Sequence, residues 1–550
     1  MKKCWFFVLI SASVFKNKEY FLLSKFKGMN RHILVLKFVV TVFFLTSFCL
    51  KVCGQVNAGD DYEILTPKPA LRPRLNNPLV YGARPGHPFI FHIPCQGNRP
   101  IHFTIKNLPS TLKLDKTAGL ITGTVPAEGN YNMVIMAKNK DGKDSKNFKL
   151  VAGDTLSLTP SMGWNDWYAY YTRITDEDVR KAADVLMSSG MADVGYAYIN
   201  IDDCWENRKK GTNGYDKADS GRKGEERDAQ GNIIPNVYFP NMKKLTDYIH
   251  SKGLKAGIYS SPGPHTCGGY VGSYQHEVQD AKQYADWGFD FLKYDWCSYG
   301  QIAGKNADLA AYKKPYILMG SLLKQQNRDI LLNLCQYGME DVWEWGAEVG
   351  AQSWRTSGDL GFELDRIFDV AVNNAKHRQY SKPGAWNDPD YIQIGYIGIA
   401  NKEGIAEQTK MPPSMQYAYM SLWCLMASPL FYSGDMNHLD PFTLNVLCNP
   451  EVIAVDQDPL GKCARVIMGN DSTFLMIKNM ADGSKALGLF NRNKKPVEVT
   501  ATWKELQISG RRKLRNLWLQ KNIGTFRHSF KSTVPAQGVV LVSISKRKVF

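Results

Sequence analysis

The sequence has 550 residues, of which 44% are hydrophobic and 22% charged, a composition typical of a globular protein with two or three cores. The formal net charge is +16, but residues 1–54 carry nine Lys or Arg and one Glu, so the remainder carries +8. We expect this excess to be spread along the chain, with a small cluster at the tail in Lys546-Arg547-Lys548. The sequence has no basic stripe with interleaved aromatic residues, so it does not indicate nucleic-acid binding. Three of the eleven cysteines lie in residues 1–54, and the other eight are scattered without zinc-type spacing.

The first 54 residues are predicted to be an upstream extension and a signal peptide. Residues 33–49 are almost all apolar and follow Arg31, and the small residues after them predict signal-peptidase cleavage at Gly54/Gln55. Met29 fits the length of a secretory signal better than Met1 as the start. A lipoprotein signal is one alternative, disfavoured by the large residues Phe48 and Val52 before Cys49 and Cys53. A retained membrane anchor is another, disfavoured because the apolar run is short. The sequence predicts export, to the periplasm or to the cell surface and beyond.

After a predicted linker at 55–66, residues 67–154 form short alternating segments that predict a small β-sandwich. Phe89–Ile93, His102–Ile105 and Tyr131–Met136 are its clearest strands. The stretch resembles the immunoglobulin-like modules of bacterial secreted enzymes. It carries no catalytic constellation, so we favour a spacer role over sugar binding.

Residues 155–449 alternate strand-like runs with amphipathic helices, as βα units do. Eight apolar runs meet polar residues at Met162–Asn165, Asn200–Asp203, Gly257–Tyr259, Lys293–Asp295, Leu334–Tyr337, Trp354–Thr356, Trp386–Asp388 and Leu430–Ser433. Eight units in this length predict a TIM (β/α)8 barrel, an α/β fold. A doubly wound sheet is the alternative, although the first strand lacks a glycine-rich phosphate loop.

The predicted strand ends carry carboxylates and aromatic residues. Lys293 and Asp295 close a hydrophobic run and must be either a satisfied ion pair or part of a site at the barrel mouth. No His-Glu-x-x-His or Gly-x-Ser-x-Gly motif is present. Paired Asp residues with Trp and Tyr to stack on a sugar suit cleavage of a glycosidic bond, which needs neither a metal nor a cofactor.

Seven motifs together resemble glycoside hydrolase family 27, and in particular its α-galactosidases. They are Met162–Asn165, Ile201–Trp205, Gly253–Tyr259, Thr266–Gly269, Lys293–Cys297, Trp354–Asp359 and Trp386–Asp390. The resemblance implies a TIM barrel followed by an antiparallel β-sandwich. It also implies hydrolysis of terminal α-D-galactosyl groups of oligo- or polysaccharides with retention of configuration.

The resemblance implies the roles of the two central carboxylates. Asp295 matches the nucleophile and Asp359 the general acid/base. We expect Lys293, two residues before Asp295, to lower the pKa of that carboxyl and keep it anionic.

Further residues match sugar contacts of the family. Asp202 and Asp203 match the pair that accepts hydrogen bonds from the 4- and 6-hydroxyls, and Trp164 matches one wall of the pocket. Tyr259, Cys267, Lys293 and Arg355 match other contacts. Because Cys267 and Cys297 each follow a predicted strand end, we expect a disulfide between them.

One departure from the family affects the substrate. Where many relatives have Cys-Glu-Trp, this chain has Cys335-Gln336-Tyr337, in the loop that faces the 2-position of the sugar in the family. Gln336 could bind a 2-hydroxyl, and Tyr337 is bulky enough to crowd out an acetamido group. This favours galactose; N-acetylgalactosamine, a β-L-arabinopyranoside and a non-catalytic sugar-binding protein are the alternatives.

Residues 450–550 return to alternating segments. Thr473–Ile477, Ala486–Phe490, Val497–Ala501 and Gly538–Ile544 predict antiparallel strands. We expect a C-terminal β-sandwich that buttresses the barrel.

Overall fold

The computed structural model describes residues 64–209, 219–361, 366–398, 406–470 and 472–546. The predicted signal segment and most of the predicted linker lie outside the described residues. At the described end of the linker, the Leu65 amide donates to the Tyr417 hydroxyl at 3.1 Å and the Thr66 amide to Asn445 Oδ1 at 3.2 Å. The end of the linker at residues 65–66 is therefore bound to the barrel.

The N-terminal module is a β-sandwich. Its strands are β1 Arg74–Leu75, β2 Val80–Ala83, β3 Pro88–His92, β4 Cys95–Gln96, β5 His102–Lys106, β6 Leu112–Asp115, β7 Leu120–Thr124, β8 Gly129–Asn139 and β9 Gly142–Ala152. A sheet ordered β2-β9-β8-β5 faces a sheet ordered β3-β7-β6. Phe89 and Phe91 alternate inward on β3 and meet Phe148 of β9 in the core, which confirms the predicted sandwich.

The central domain is a parallel barrel. Its strands are β10 Met162–Asn165, β11 Tyr198–Asn200, β12 Lys255–Ser260, β13 Phe291–Asp295, β14 Leu331–Cys335, β15 Ser353–Arg355, β16 Trp386–Asp388 and, after the hairpin β17 Tyr396–Gly398 and β18 Ala406–Gln408, β19 Leu430–Tyr432. They pair in parallel in the order β16-β15-β14-β13-β12-β11-β10-β19. A bridge between Ile392 and Tyr432 closes the ring. The eight predicted strand ends coincide with these eight strands, which confirms the TIM barrel.

Helices connect the barrel strands. Those of the described residues are α1 Trp167–Tyr170, α2 Asp176–Ser188, α3 Met242–Ser251, α4 Glu277–Trp287, α5 Tyr299–Ala303, α6 Leu309–Lys324, α7 Val342–Trp345, α8 Ile367–Lys376, α9 Pro413–Met426, α10 Pro441–Leu447 and α11 Pro450–Asp456. Local sequence sets their ends. Thr175 caps α2 through its hydroxyl, and Gly288, with a φ of 100°, ends α4 and turns the chain into β13.

The C-terminal domain is an antiparallel β-sandwich, as predicted. Its strands are β20 Arg465–Met468, β21 Thr473–Asn479, β22 Lys485–Asn491, β23 Val497–Thr502, β24 Arg512–Asn516, β25 Lys521–Phe526, β26 Ser529–Val534 and β27 Val539–Lys546. Six strands form the sheet β20-β21-β22-β27-β24-β25, and β23 pairs with β26 across a core that includes Trp503 and Phe530. Trp518 Nε1 donates to Ser421 Oγ of α9 at 2.9 Å, so the sandwich is anchored to the barrel.

Candidate active site

A pocket opens at the carboxyl ends of the barrel strands, where TIM barrels place their active sites. Its lining residues are Trp167, Tyr168, Asp202, Asp203, Tyr259, Cys267, Lys293, Asp295, Tyr337, Arg355, Asp359, Asp390 and Tyr391. The structure therefore brings together nine of the eleven residues with a predicted catalytic or sugar-contact role. Trp164 and Gln336 are the two that lie outside this lining.

Asp295 is the last residue of β13 and is held by three donors. Its Oδ1 accepts hydrogen bonds from the Tyr337 hydroxyl at 2.6 Å and the Trp296 amide at 2.7 Å, and its Oδ2 accepts one from the Tyr259 hydroxyl at 3.1 Å. Only 4% of the residue is exposed. The carboxylate is thus fixed in orientation inside the pocket, as a nucleophile must be.

Burial raises the pKa of Asp295, although the charge of Lys293 and the Tyr337 hydrogen bond oppose the rise. The prediction that Lys293 lowers this pKa below its ordinary value was therefore wrong in its net direction. Burial outweighs the charge of Lys293, whose ammonium bonds to Asp202 Oδ2 at 2.8 Å and acts on Asp295 only through space.

Asp359 lies beyond the end of β15 at the pocket rim. Its side chain is 54% exposed, and Arg355 Nη1 contacts its Oδ1 at 3.1 Å. Arg355 itself is buried and is held from behind by Asp390, whose Oδ2 lies 3.1 Å from Nη2. An exposed carboxyl at the rim can exchange protons with water, which general acid/base catalysis requires.

Asp202 and Asp203 follow the end of β11, and both line the pocket because the period-two alternation of the strand has ended at Asn200. Asp202 Oδ2 accepts hydrogen bonds from Lys293 and, at 3.1 Å, from the Tyr391 hydroxyl. Asp203 accepts the backbone amides of Cys204 and Gly268. Burial raises the pKa of Asp203 to about 7.

The structure does not place Trp164 in the pocket. Trp164 lies within β10, is fully buried, and donates its Nε1–H to the Gly434 carbonyl at 2.9 Å. Trp167, three residues later and past the strand end, lines the pocket instead. Its position could have been found from the sequence, because barrel sites are built from residues after the strands and not within them.

Gln336 is also turned away from the pocket. Its side chain is fully buried, and its Nε2 donates to the Met339 carbonyl at 2.9 Å. The backbone explains the arrangement, because Tyr337 has a φ of 62° and Gly338 a φ of 86°. A left-handed conformation is uncommon for tyrosine, and here it directs the Tyr337 hydroxyl onto Asp295.

The predicted disulfide joins Cys267 and Cys297, with Cα atoms 5.0 Å apart, and ties together the loops after β12 and β13. Cys267 is part of the pocket lining, as predicted. Within the described residues, Cys267, Asp295 and Cys297 are the one group with spacing suited to a metal ion. Sulfurs that are bonded to each other are not thiolate ligands, so this group does not predict a metal site.

Tyr168, Asp390 and Tyr391 line the pocket but had no predicted contact with the sugar. Asp390 Oδ2 accepts a hydrogen bond from the Tyr168 hydroxyl at 2.9 Å and contacts Arg355. Asp390 therefore positions Arg355. Tyr168 and Tyr391 could not be found from the sequence, because neither belongs to a recognised motif.

The contact between Tyr337 and Asp295 leads to a prediction. In Tyr337→Phe the ring is kept but the donor to Oδ1 is lost, so the pKa of Asp295 should rise further. We expect the acidic limb of the pH profile of kcat/KM to move to higher pH, with activity lost first at low pH. An unchanged profile with a raised KM would show that Tyr337 serves only to contact the sugar.

A closed (β/α)8 barrel with paired carboxylates and aromatic residues at its mouth defines a glycoside hydrolase. Comparison with known proteins agrees. The family model described as alpha galactosidase A matches residues 159–458, the model of the alpha galactosidase C-terminal beta sandwich domain matches 471–544, and an Ig domain model matches 72–153. The chain therefore belongs to the α-galactosidases of glycoside hydrolase family 27.

Individual relatives are similar over most of the chain. An alpha-galactosidase of Oryza sativa is 34% identical over 71% of this chain and 83% of its own length. Alpha-galactosidase A of Cellvibrio japonicus is 33% identical over 72% of this chain and 94% of its own. A crystal structure from Bacteroides fragilis, of a protein assigned as an alpha-galactosidase/melibiase, is 34% identical with a TM-score of 0.79, and the match covers 88% of this chain and all of that one.

Proposed function

We propose that this protein is a retaining exo-α-galactosidase that removes terminal α-D-galactosyl groups from oligo- or polysaccharides. The observation that carries the proposal is the presence of Asp295 and Asp359 in one pocket with Asp202 and Asp203. Retention requires two carboxyl groups on either side of the scissile bond, one to attack and one to donate a proton.

The reaction proceeds by double displacement. Asp295, oriented by Tyr259, Tyr337 and the Trp296 amide, attacks the anomeric carbon while Asp359 protonates the departing glycosidic oxygen. A covalent β-galactosyl-enzyme results. Asp359, now a carboxylate, then removes a proton from water, which attacks the anomeric carbon and releases Asp295 and α-galactose.

Galactose is favoured over related sugars by the residues around the pocket. Asp202 and Asp203 offer carboxylate oxygens for the 4- and 6-hydroxyls, and a β-L-arabinopyranoside lacks the hydroxymethyl group that one of them would bind. The bulky Tyr337 lines the pocket and is expected to crowd out an acetamido group. Because Tyr337 lines the pocket and Gln336 does not, Tyr337 is the first candidate to recognise the 2-hydroxyl.

The substrate proposal is tested by initial rates on four aryl glycosides: α-galactoside, α-N-acetylgalactosaminide, β-L-arabinopyranoside and α-glucoside. We expect the α-galactoside to exceed each of the others by more than about tenfold in kcat/KM, which is about 1.4 kcal/mol of transition-state discrimination. Preference for another sugar would be compatible with the proposed double displacement but would contradict the proposed specificity for galactose. No turnover of any would favour a non-catalytic sugar-binding protein.

We propose further that the protein is exported, because of the apolar segment at residues 33–49 and the small residues before Gln55. Among the described residues, no helix is both long enough and apolar enough to cross a membrane. A mature protein whose N-terminus still includes residues 29–54 would contradict cleavage at this site.

A further inference from the structure

Beyond residues 1–54, the net positive charge lies in the C-terminal domain as a whole, and not along the chain with a small cluster at the tail, as expected from the sequence. Residues 461–550 hold 18 Lys or Arg and four Asp or Glu, a net charge of +14, whereas residues 55–460 hold 41 and 47, a net of −6. A domain of about 90 residues with this charge attracts polyanions over a distance set by the ionic strength. The catalytic part of the chain, being net negative, does not.

Part of this charge forms a cluster, which we call the basic end, at one end of the six-stranded sheet. It consists of Arg465, the first residue of β20, Lys485, the first of β22, and Arg512, the first of β24. Burial, and then the charges of Arg512 and Arg465, lower the pKa of Lys485. Both arginines are therefore close enough to Lys485 for their charges to repel it.

No carboxylate of the described residues forms an ion pair with these three cations. Arg465 donates to the Glu505 carbonyl and Lys485 to Asn479 Oδ1, both of which are uncharged acceptors. The Glu505 carboxylate binds Thr502 instead. By contrast, Arg515, in the same strand as Arg512, has a bidentate ion pair with Glu451. The basic end thus keeps its charge available for an external anion.

The surroundings of the basic end distinguish between kinds of polyanion. Membrane binding needs apolar side chains beside the basic ones, but Met468 and Leu519, the large apolar residues that are exposed in the described part of this domain, lie toward the other ends of β20 and β24. Binding of single-stranded nucleic acid needs exposed aromatic rings, but Trp503 is buried and Phe526, opposite Arg512, is half-buried against the core.

We propose that the basic end binds an anionic polysaccharide, through its carboxylate or sulfate groups, and holds the enzyme on that polymer. The choice of a polysaccharide rests on the proposed function, since an exo-glycosidase acts on glycan chains. Binding on the C-terminal domain would concentrate the enzyme near terminal galactosyl groups, while the net negative catalytic part selects neutral sugars by shape and hydrogen bonding.

The test is the affinity of the purified protein for immobilised dextran sulfate, with uncharged dextran as the reference polymer, at 50 mM and 200 mM NaCl. The triple variant Arg465→Gln/Lys485→Gln/Arg512→Gln removes the basic end. The matched control, Lys138→Gln/Lys140→Gln/Lys143→Gln, removes the same charge from exposed lysines at the β8–β9 turn of the N-terminal module.

We expect the wild type to bind dextran sulfate and not dextran, with weaker binding at the higher salt concentration. The basic-end variant should lose at least about tenfold in affinity and show a shallower salt dependence, whereas the control should lose less than about threefold. Turnover of an aryl α-galactoside should be unchanged in both variants. That assay reports on the proposed function separately, because it needs no polymer.

Three results would overturn the proposal: no binding by the wild type at 50 mM NaCl, equal losses in the two triple variants, or equally tight and cluster-dependent binding to anionic phospholipid vesicles, which would point to a membrane. If the triple variant fails to fold, Lys485→Gln alone remains usable. It relieves repulsion between like charges, so it should not lower the melting temperature while it weakens binding.

Discussion

Replacing Asp295 by alanine is expected to reduce kcat on α-galactosides by at least about 10⁴-fold, because no other group in the pocket is placed to form the covalent intermediate. The fold should persist, since the pocket keeps Asp202, Asp203 and Arg355. Asp295→Asn, which keeps the shape of the side chain, should be almost as inactive. The measurement is the turnover of an aryl α-galactoside, with the melting temperature as a check on folding.

Azide makes the test of Asp295 sharper. In Asp295→Ala a cavity replaces the nucleophile, so azide can attack the anomeric carbon from that face and give a β-galactosyl azide. Recovery of activity with this product would identify the face from which Asp295 acts. An alanine variant with near-normal turnover would contradict its assignment as the nucleophile.

Replacing Asp359 by alanine should have an effect that depends on the leaving group. Proton donation by a positioned acid contributes about 10²–10⁴-fold, but a good leaving group needs little of it. We therefore expect kcat/KM to fall by about 10³-fold on an alkyl α-galactoside and much less on an activated aryl α-galactoside. The second step should then limit the aryl substrate, and azide should speed it and give an α-galactosyl azide.

The chain offers a closely matched control for this variant. Asp247 has a side chain that is also 54% exposed, and it also forms an ion pair with a cation four residues away, Lys243. Asp247→Ala should leave both substrates unaffected. Equal losses on the alkyl and aryl substrates in Asp359→Ala would contradict the role of Asp359 as the acid.

The barrel could be predicted from the sequence because its parallel strands are buried and end in polar residues. Gly288, the apolar run from Phe289 and the charged end at Asp295 gave both the strand and its functional end. The short β-strands of the two sandwiches could be predicted for a different reason, since their apolar residues alternate with polar ones.

The residues that line the pocket could be predicted only where their position at the end of a strand determines the direction of the side chain. Gln336 and Tyr337 are adjacent in the chain, yet only Tyr337 enters the pocket, because the backbone there takes a left-handed conformation that no spacing rule predicts. Likewise, the net pKa of Asp295 depends on burial, which outweighs the neighbouring Lys293. Such effects depend on three-dimensional packing and are not visible in a motif.

The net charge of each domain, unlike these packing effects, can be counted from the sequence alone. The net charge of the C-terminal domain requires only that the chain be divided at the right place. What the structure adds is the grouping of Arg465, Lys485 and Arg512, which are separated in sequence but begin strands of one sheet.

The most direct test of the central claim is the configuration of the first product, followed by proton NMR during hydrolysis of an aryl α-galactoside. The account predicts that α-galactose appears first and that β-galactose accumulates only later, by mutarotation. Both carboxylates then act as assigned, with one covalent intermediate between two inversions. If β-galactose appears first, water attacks directly, and the assignment of Asp295 as a covalent nucleophile is wrong.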